Sequence, residues 1–373
     1  MSFHPIRLHQ PQLSDSVPII SADQMHAIGI TGNSSIAIID TGVDSNHRAF
    51  TGRIVRSVCF SSQFQGRGET LCPNGEDIDL ESAGAGDPCP ANISSCDHGT
   101  HVAGIAASNF GEIGVAPGAR IIAIQVGGIY GEEECKPRPS CVLFNPTDYL
   151  RALDYLIDNH VELELSSINM SIGSDGEEHS EDCSLNNAAS TQIRHLRQIG
   201  VATVIASGND RFNDAVASPA CIGSAITVGA TNDLDELWRG LFGLFFGGSN
   251  SSELVDLLAP GREIRSAVPG GGFAANTGTS MAAPHVAGAI ALLRHAFPNA
   301  SVDQIENALE STGVTVVHPV SNLQRQRIDV HEAYEHLLSA IGQHSLTVQL
   351  VGSGSITADG VPLDCGSEAC SES

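Results

Sequence analysis

Between residues 25 and 340 the chain alternates between short β-branched or apolar runs and segments with helical spacing. Runs of the first kind are SSIAIID (34–40), ARIIAIQV (119–126), SSINMSIG (166–173), VATVIASG (201–208) and SAITVGA (224–230). Between and after them, GTHVAGIAAS (99–108), PTDYLRALDYLIDNH (146–160), AAPHVAGAIALLRHAF (282–297), DQIENALE (303–310) and DVHEAYEHLL (329–338) read as helices. In the second of these, Pro146 suits a first helical turn, and Leu150, Leu153, Tyr155, Leu156 and Ile157 make its apolar side. Strands interleaved with helices imply an α/β fold, with a mostly parallel central sheet covered by helices on both faces.

Three stretches leave this rhythm. Residues 61–97 are rich in Gly, Ser, Pro, Asp and Glu and hold three cysteines, and 131–145 have a similar texture; both read as stapled surface insertions. Residues 1–24 form an N-terminal arm. From 345 to 373, alternating apolar and polar residues around a Gly-Ser turn predict a small C-terminal β segment. Eight of the ten cysteines fall in close pairs: Cys59 and Cys72, Cys89 and Cys96, Cys135 and Cys141, Cys365 and Cys370. Cys183 and Cys221 are left for each other. Zinc is the rival to disulfides, but no pair is a C-x-x-C and no His-x-x-x-His accompanies one. Disulfides are the better reading, and they imply an oxidising, extracellular compartment.

The balance of 43 acidic against 18 basic residues argues against nucleic acid or anionic membranes as partners. No run approaches the roughly 18 apolar residues of a membrane span. The opening residues lack the apolar core of a leader, so export requires that a leader be removed beforehand.

Four polar residues recur at one kind of place. Asp40 closes the run IAIID, Asn209 follows VIASG, His98 opens a helix in DHGTHVAG, and Ser280 opens another in GTSMAAPHVAG. In an open α/β sheet, the carboxyl ends of strands and the amino ends of the following helices converge on one edge, where ligands bind. An acid, an imidazole, an amide and a hydroxyl delivered there are the components of a serine hydrolase. A serine hydroxyl needs a base to take its proton and positive partial charge to stabilise the oxyanion it creates, and a helix N-terminus supplies the second. Pro284 is expected to be tolerated as a residue of the first turn. Taken alone, Ser280 would be an ordinary helix cap.

DTGVD around Asp40, HGTHVAG around His98, ASGN at Asn209 and GTSMAAPHVAG around Ser280 resemble, in this order, the signature segments of the subtilisin-like serine proteases. The resemblance spans about residues 17–340 and implies a three-layer subtilisin-like fold. It implies that Ser280 is the nucleophile, His98 the general base and acid, and Asp40 the residue that orients the imidazole. Asn209 and the backbone N–H of Ser280 would hold the oxyanion. Ser171, Ile172 and Gly173 would pair with substrate backbone and line, with Ala206, Ser207 and Gly208, the pocket for the side chain before the cut. A second pairing strand should fall near residues 127–133, where the match thins. His101 and His285 are expected to be packing residues, and Asp44 and Asp97 turn or surface residues.

The resemblance further implies structural Ca2+, with no ligand assigned, no organic cofactor, and a propeptide removed by cleavage. The apolar segment 237–246 is expected to be buried. The function that follows is a secreted, monomeric endopeptidase acting on protein or peptide substrates, broad in specificity with apolar or aromatic residues preferred before the cut. A catalytically silent relative that binds proteins through the same cleft is the alternative, although all four key residues are present. An α/β-hydrolase esterase fits poorly, because GTSMA lacks the second glycine of G-x-S-x-G and the acid and base precede the serine.

Overall fold

The structure, a computed structural model, describes residues 13–342 except 64–65, 91–92, 175 and 241–246, together with 356–358 and 361–363. In chain order its strands are β1 (Ser35–Asp40), β2 (Ile54–Phe60), β3 (Glu69–Thr70), β4 (Ile78–Asp79), β5 (Asn109–Phe110), β6 (Glu112–Ile113), β7 (Arg120–Gln125), β8 (Gly127–Gly131), β9 (Ser140–Phe144), β10 (Leu165–Met170), β11 (Ala202–Ala206), β12 (Ile226–Thr231), β13 (Leu257–Pro260), β14 (Ile264–Val268), β15 (Gly272–Asn276), β16 (Val314–Val317), β17 (Gln324–Arg327), β18 (Ile356–Ala358) and β19 (Val361–Leu363). The helices are α1 (Leu13–Ile19), α2 (Ala22–Ala27), α3 (His98–Ala107), α4 (Glu132–Cys135), α5 (Pro146–Asn159), α6 (Ser190–Gln198), α7 (Thr279–Ala296), α8 (Val302–Thr312) and α9 (Val330–Gly342).

Ten strands form the central sheet in the order β16-β17-β13-β12-β11-β10-β1-β7-β2-β4. Every pairing from β17 to β2 is parallel, and only the outermost pairs, β16 with β17 and β2 with β4, are antiparallel. Strands β1, β10, β11 and β12 are buried along their whole length, which is why they read as continuous apolar runs and not as alternating ones. One core lies between the sheet and α1, α2, α3, α7, α8 and α9. A second lies on the opposite face, under α5 and α6. These are the three layers expected.

Helices α3 and α7 cross closely. A Cβ at Gly288 would lie 2.7 Å from Val115 Cβ and 3.0 Å from the carbonyl oxygen of Ala106, so only glycine fits that contact. Helix α8 begins with a reciprocal capping box between Ser301 and Gln304. The N-terminal arm contributes Val17 and Ile20 to the first core, and the Ile20 carbonyl accepts from Val330 N at 2.9 Å. At the other end of the chain, β18 and β19 pair antiparallel.

Four disulfides join Cys59–Cys72, Cys89–Cys96, Cys135–Cys141 and Cys183–Cys221. The expected Cys365–Cys370 pair lies outside the described residues. The first three brace the two insertions; β3 from the first and β9 from the second flank β8, which leads into the second, in a separate small sheet in the order β3-β8-β9. A buried network fastens this region to α5: Ser62 donates from N and Oγ to Asp148, at 2.7 Å each, and accepts from Asn145 Nδ2 at 3.0 Å. Of the apolar segment 237–246, Leu237 is buried and Trp238 packs on the first core, while 241–246 lie outside the described residues.

Just before β13, Asp256 accepts from Thr227 N at 2.7 Å and lies within 4.8 Å of the carboxylates of Glu306 and Glu310. Burial raises its pKa, the Thr227 hydrogen bond opposes, Glu306 and Glu310 raise it further, and Arg325 opposes; the result is about 7. A carboxyl whose folded pKa lies above its unfolded one holds its proton more tightly when folded. Stability from this group is therefore complete below about pH 4 and is lost as pH rises toward 7. Asp256→Asn should match the wild-type melting temperature near pH 4 and exceed it by roughly 5 °C at pH 8; calorimetry at the two pH values checks this.

Candidate active site

The carboxyl ends of β1, β10 and β11 meet the amino ends of α3 and α7 at one edge of the sheet, around a cleft of about 320 Å3. Asp40, the last residue of β1, is fully buried. Its Oδ1 accepts from Thr41 N at 2.7 Å and from His98 Nδ1 at 2.8 Å, while its Oδ2 is buried with no hydrogen-bond partner among the described residues. Because Nδ1 donates to the carboxylate, the His98 lone pair is on Nε2. His98 is the first residue of α3 and its side chain is 23% exposed, lining the cleft. Burial lowers the His98 pKa, but the charge and hydrogen bond of Asp40, helped by Asp97, outweigh it and raise it above the ordinary 6.5. Thr41 secures the junction from both sides: its Oγ1 accepts from Gly99 N, and its carbonyl accepts from Gln125 Nε2.

Ser280 is the second residue of α7, where the first backbone N–H groups of the helix have no partner within it. Its hydroxyl lines the same cleft and makes one long contact, 3.5 Å to the Ser171 carbonyl; no hydrogen bond joins it to His98. Such bonds are often open in substrate-free sites. Contrary to the sequence expectation, Pro284 falls not in the first turn of α7 but in the second. Its missing N–H leaves the Ser280 carbonyl without its helical partner, and Ser171 Oγ donates to that carbonyl at 2.9 Å instead. Asn169 Nδ2 in turn donates to Ser171 Oγ, so a chain of two bonds ties the start of α7 to the end of β10.

Asn209 is oriented by a residue the sequence reading passed over. Thr279 donates to Asn209 Oδ1 from both N and Oγ1, at 2.9 and 3.0 Å, which leaves the Asn209 NH2 group free for the cleft. Asn250, also missed, is fully buried and organises the same loop: it donates to the Ser207 carbonyl and accepts from Phe212 N. The only signal for it was the asparagine in GGSNSS.

Five of the six expected substrate-binding residues, Ser171, Ile172, Gly173, Ala206 and Gly208, line the cleft. Ser207 does not: it is buried, and its hydroxyl donates to the Asn250 carbonyl. Opposite Ser171–Gly173 the cleft is walled by Val142, Leu143 and Phe144 of β9. This corrects the position expected for a second pairing strand. Strand β8, near 127–133, is central in the small sheet, with β3 on one edge and β9 on the other, whereas the outer edge of β9 has no strand beside it among the described residues.

His101 and His285 are packing residues. Both are fully buried, donate to the backbone carbonyls of Ala274 and Met281, and are held neutral by burial, with pKa values near 4. Asp44 accepts from Asn46 N and Gly270 N, as a turn residue does. For a metal ion, the one cluster of three ligating side chains among the described residues is Asp256, Glu306 and Glu310. It does not suit Ca2+, which takes six to eight oxygens: Arg197 is already paired with Glu306, and Arg325 is a second cation beside the group.

Residues 31–334 match the model of the subtilase family. An extracellular serine proteinase of Thermus sp. (strain Rt41A) is 33% identical over 275 residues, which are 73% of this chain and 53% of that protein. Subtilisin E of Bacillus subtilis (strain 168) is 31% identical over 314 residues, 81% of this chain and 67% of the relative. The chain thus spans about half the length of the first and about two thirds of the second. Among solved structures, a protease of Pseudoalteromonas arctica PAMC 21717 superposes with a TM-score of 0.64 at 25% identity, covering 86% of this chain and 94% of that one. A cold-adapted subtilisin-like serine proteinase gives 0.55 at 27% identity, covering 78% and 85%.

Gly208 precedes Asn209 with φ +103°, and a Cβ there would lie 2.3 Å from Asn250 Nδ2 and 2.9 Å from Ala217 Cβ. Gly208→Ala should therefore destabilise the protein by about 2 kcal/mol or more, measured by denaturant unfolding.

Proposed function

The chain belongs to the subtilase family, and on that premise we propose that it is a serine endopeptidase that cuts proteins through an acyl-enzyme. The observation that carries this is the convergence on one cleft of His98, bonded to a buried Asp40, and of Ser280 at the N-terminus of α7.

In this reading a substrate strand lies between Ser171–Gly173 and the outer edge of β9, adding to the small sheet as a further strand. Ser280 Oγ attacks the scissile carbonyl carbon while His98 Nε2 takes its proton, and the imidazolium that forms is stabilised by Asp40. The carbonyl oxygen becomes an oxyanion, which accepts from Asn209 Nδ2 and from the backbone N–H of Ser280, with the helix dipole behind it. The tetrahedral adduct collapses as its C–N bond breaks, and the leaving amine takes the proton from His98. Water then repeats the sequence: it gives a proton to His98, attacks the acyl carbon and releases Ser280. No step uses a metal, and the structural Ca2+ suggested by family resemblance has no ligand assigned.

The cleft walls offered by Ile172, Gly173, Ala206 and Ala217 suit apolar or aromatic side chains before the cut. Four disulfides support an extracellular location, as does the Thermus relative, and no helix of the described residues is long and apolar enough to cross a membrane. We take the chain to act as a monomer freed from a propeptide.

Ser280→Ala should lower kcat on casein and on a chromogenic peptide amide by about 10⁴-fold or more, and phenylmethylsulfonyl fluoride should abolish wild-type activity. Equal activity in the variant would exclude Ser280 as nucleophile. Since His98 must be neutral to accept the proton and its pKa is raised, kcat/KM should climb with pH to a midpoint above 6.5.

Thr279 holds the Asn209 amide and accepts from Gly208 N, so Thr279→Val should lower kcat about tenfold with KM little changed, and should lower the melting temperature because a buried N–H loses its acceptor. Thr279→Ser should restore it, since the hydroxyl is what Asn209 uses.

A further inference from the structure

Eight arginines among the described residues are paired with carboxylates. Two that are not, Arg239 and Arg262, line one groove of about 470 Å3, which is larger than the cleft and shares no lining residue with it. Arg239 has only neutral partners. It donates to His318 Nε2 at 2.8 Å and to Asn213 Oδ1 at 3.0 Å, which leaves further N–H groups of the guanidinium open. His318 is held neutral, since burial and Arg239 both lower its pKa. Arg211 adds a second positive charge beside Arg239. Arg262 is half-buried and makes no hydrogen bond or ion pair among the described residues; Asp233 feels its charge from beyond ion-pair distance. Of the two carboxylates on the walls, Asp235 has both oxygens bonded to Arg327, at 2.8 and 3.1 Å, and Glu236 is exposed and accepts from Asn232. The rest of the wall is apolar, made by Trp238, Val317 and Pro319. Val317 ends β16, whose outer edge has no strand beside it among the described residues.

We propose that this groove binds an acidic segment of a polypeptide, whose carboxylates meet Arg239 and Arg262 and whose apolar side chains lie on Trp238, Val317 and Pro319. Charge complementarity chooses the occupant. The chain's formal net charge of −25 repels such a segment from most of the surface, and here it meets positive charge with no counter-ion. A basic segment would be repelled by the same two guanidiniums, and a neutral one would leave them as they are. The outer edge of β16 offers backbone groups that an extended peptide can take up, whereas a small carboxylate would cover neither that edge nor the apolar wall. Gly248 bridges to both Arg239 and Asp210, and Asp210 lines the cleft, so groove and cleft flank the same loop. On the endopeptidase reading the groove is a second point of attachment for a client, raising the local concentration of its neighbouring residues at the cleft. The binding itself does not depend on that reading.

Trp238 is the only tryptophan of the chain, so its emission reports the groove. The Ser280→Ala protein is titrated with acetylated peptide amides of sequence Gly-Glu-Leu-Glu-Gly or Gly-Gln-Leu-Gln-Gly, which differ only in charge. The acidic peptide should shift the emission and bind about fivefold more tightly than its neutral counterpart, and 1 M salt should remove the difference. Arg262→Gln should reduce the ratio to about twofold, and Arg262→Glu should bring it below one. Because Arg262 bonds to nothing in the fold, both variants should melt as their parent does. Equal affinity for the two peptides, an unchanged ratio in Arg262→Gln, or no emission change with either peptide would overturn the proposal. Glutarate competing as well as the acidic peptide would overturn it too, by reducing the groove to a site for small carboxylates. So would emission that changes on dilution of the protein alone, with dimers in sedimentation, since the occupant would then be a second copy. No arm of the test needs cleavage, so its failure and the failure of the endopeptidase reading are separate results.

Discussion

Pro284 has no N–H to offer, and the Ser280 carbonyl that it leaves open is the point on which the cleft is assembled. An unpaired carbonyl in a packed helix is costly, and the partner that meets it is Ser171 Oγ, just past the end of β10. That bond, with a second from Ser167 Oγ of β10 to the Ala287 carbonyl, ties α7 to the strand beneath it. From it follow the position of the Ser280 hydroxyl, the distance across the cleft to His98, and the place of Thr279, which in turn aims Asn209. The proline therefore acts as a positional constraint, and its destabilising effect on the helix is offset by a neighbour already in place.

The opposite wall is built on a different principle. Strands β3, β8 and β9 lie outside the central sheet, and their apolar residues gather only in small clusters around the cysteines. Covalent and polar ties supplement these clusters: Cys59–Cys72 from β2 to the first insertion, Cys135–Cys141 within the second, Cys89–Cys96 ending two residues before His98, and the Ser62–Asp148–Asn145 network at the start of α5. The result is a wall whose shape depends little on burial.

The sequence was most legible where one residue answers to one local rule. Asp40, His98 and Ser280 could be placed because strand ends and helix starts are readable, and a parallel sheet brings those ends together. The five apolar runs lie within two residues of the ends of β1, β7, β10, β11 and β12, apart from 166–173, which runs on into the cleft wall. Helix α6 was not seen, since Ile193 and Leu196 are its only large apolar residues and nine residues are too few for a period to show. Strand β9 was hidden for the opposite reason: its identity as cleft wall depends on β8 being paired on both edges, a fact of topology and not of composition. Asn250 and Thr279 act on Asn209 across 41 and 70 positions of the chain, and no spacing rule spans such distances. The side chain of Ser207 turns inward past the end of β11, where its hydroxyl donates to the Asn250 carbonyl, and no local pattern in the sequence shows this.

The edge of β9 that has no strand beside it among the described residues has a further meaning for whatever enters the cleft. A strand can be added there only by a chain able to give up its own backbone partners over several consecutive residues. Folded proteins hold those partners in their own sheets and helices and release them only in rare local openings. When opening and reclosing are fast compared with the chemistry, the rate at which a protein is cut follows the population of its opened form, whatever its side chains. The edge thus makes the cleft a gauge of a client's local stability, and of its side chains only second.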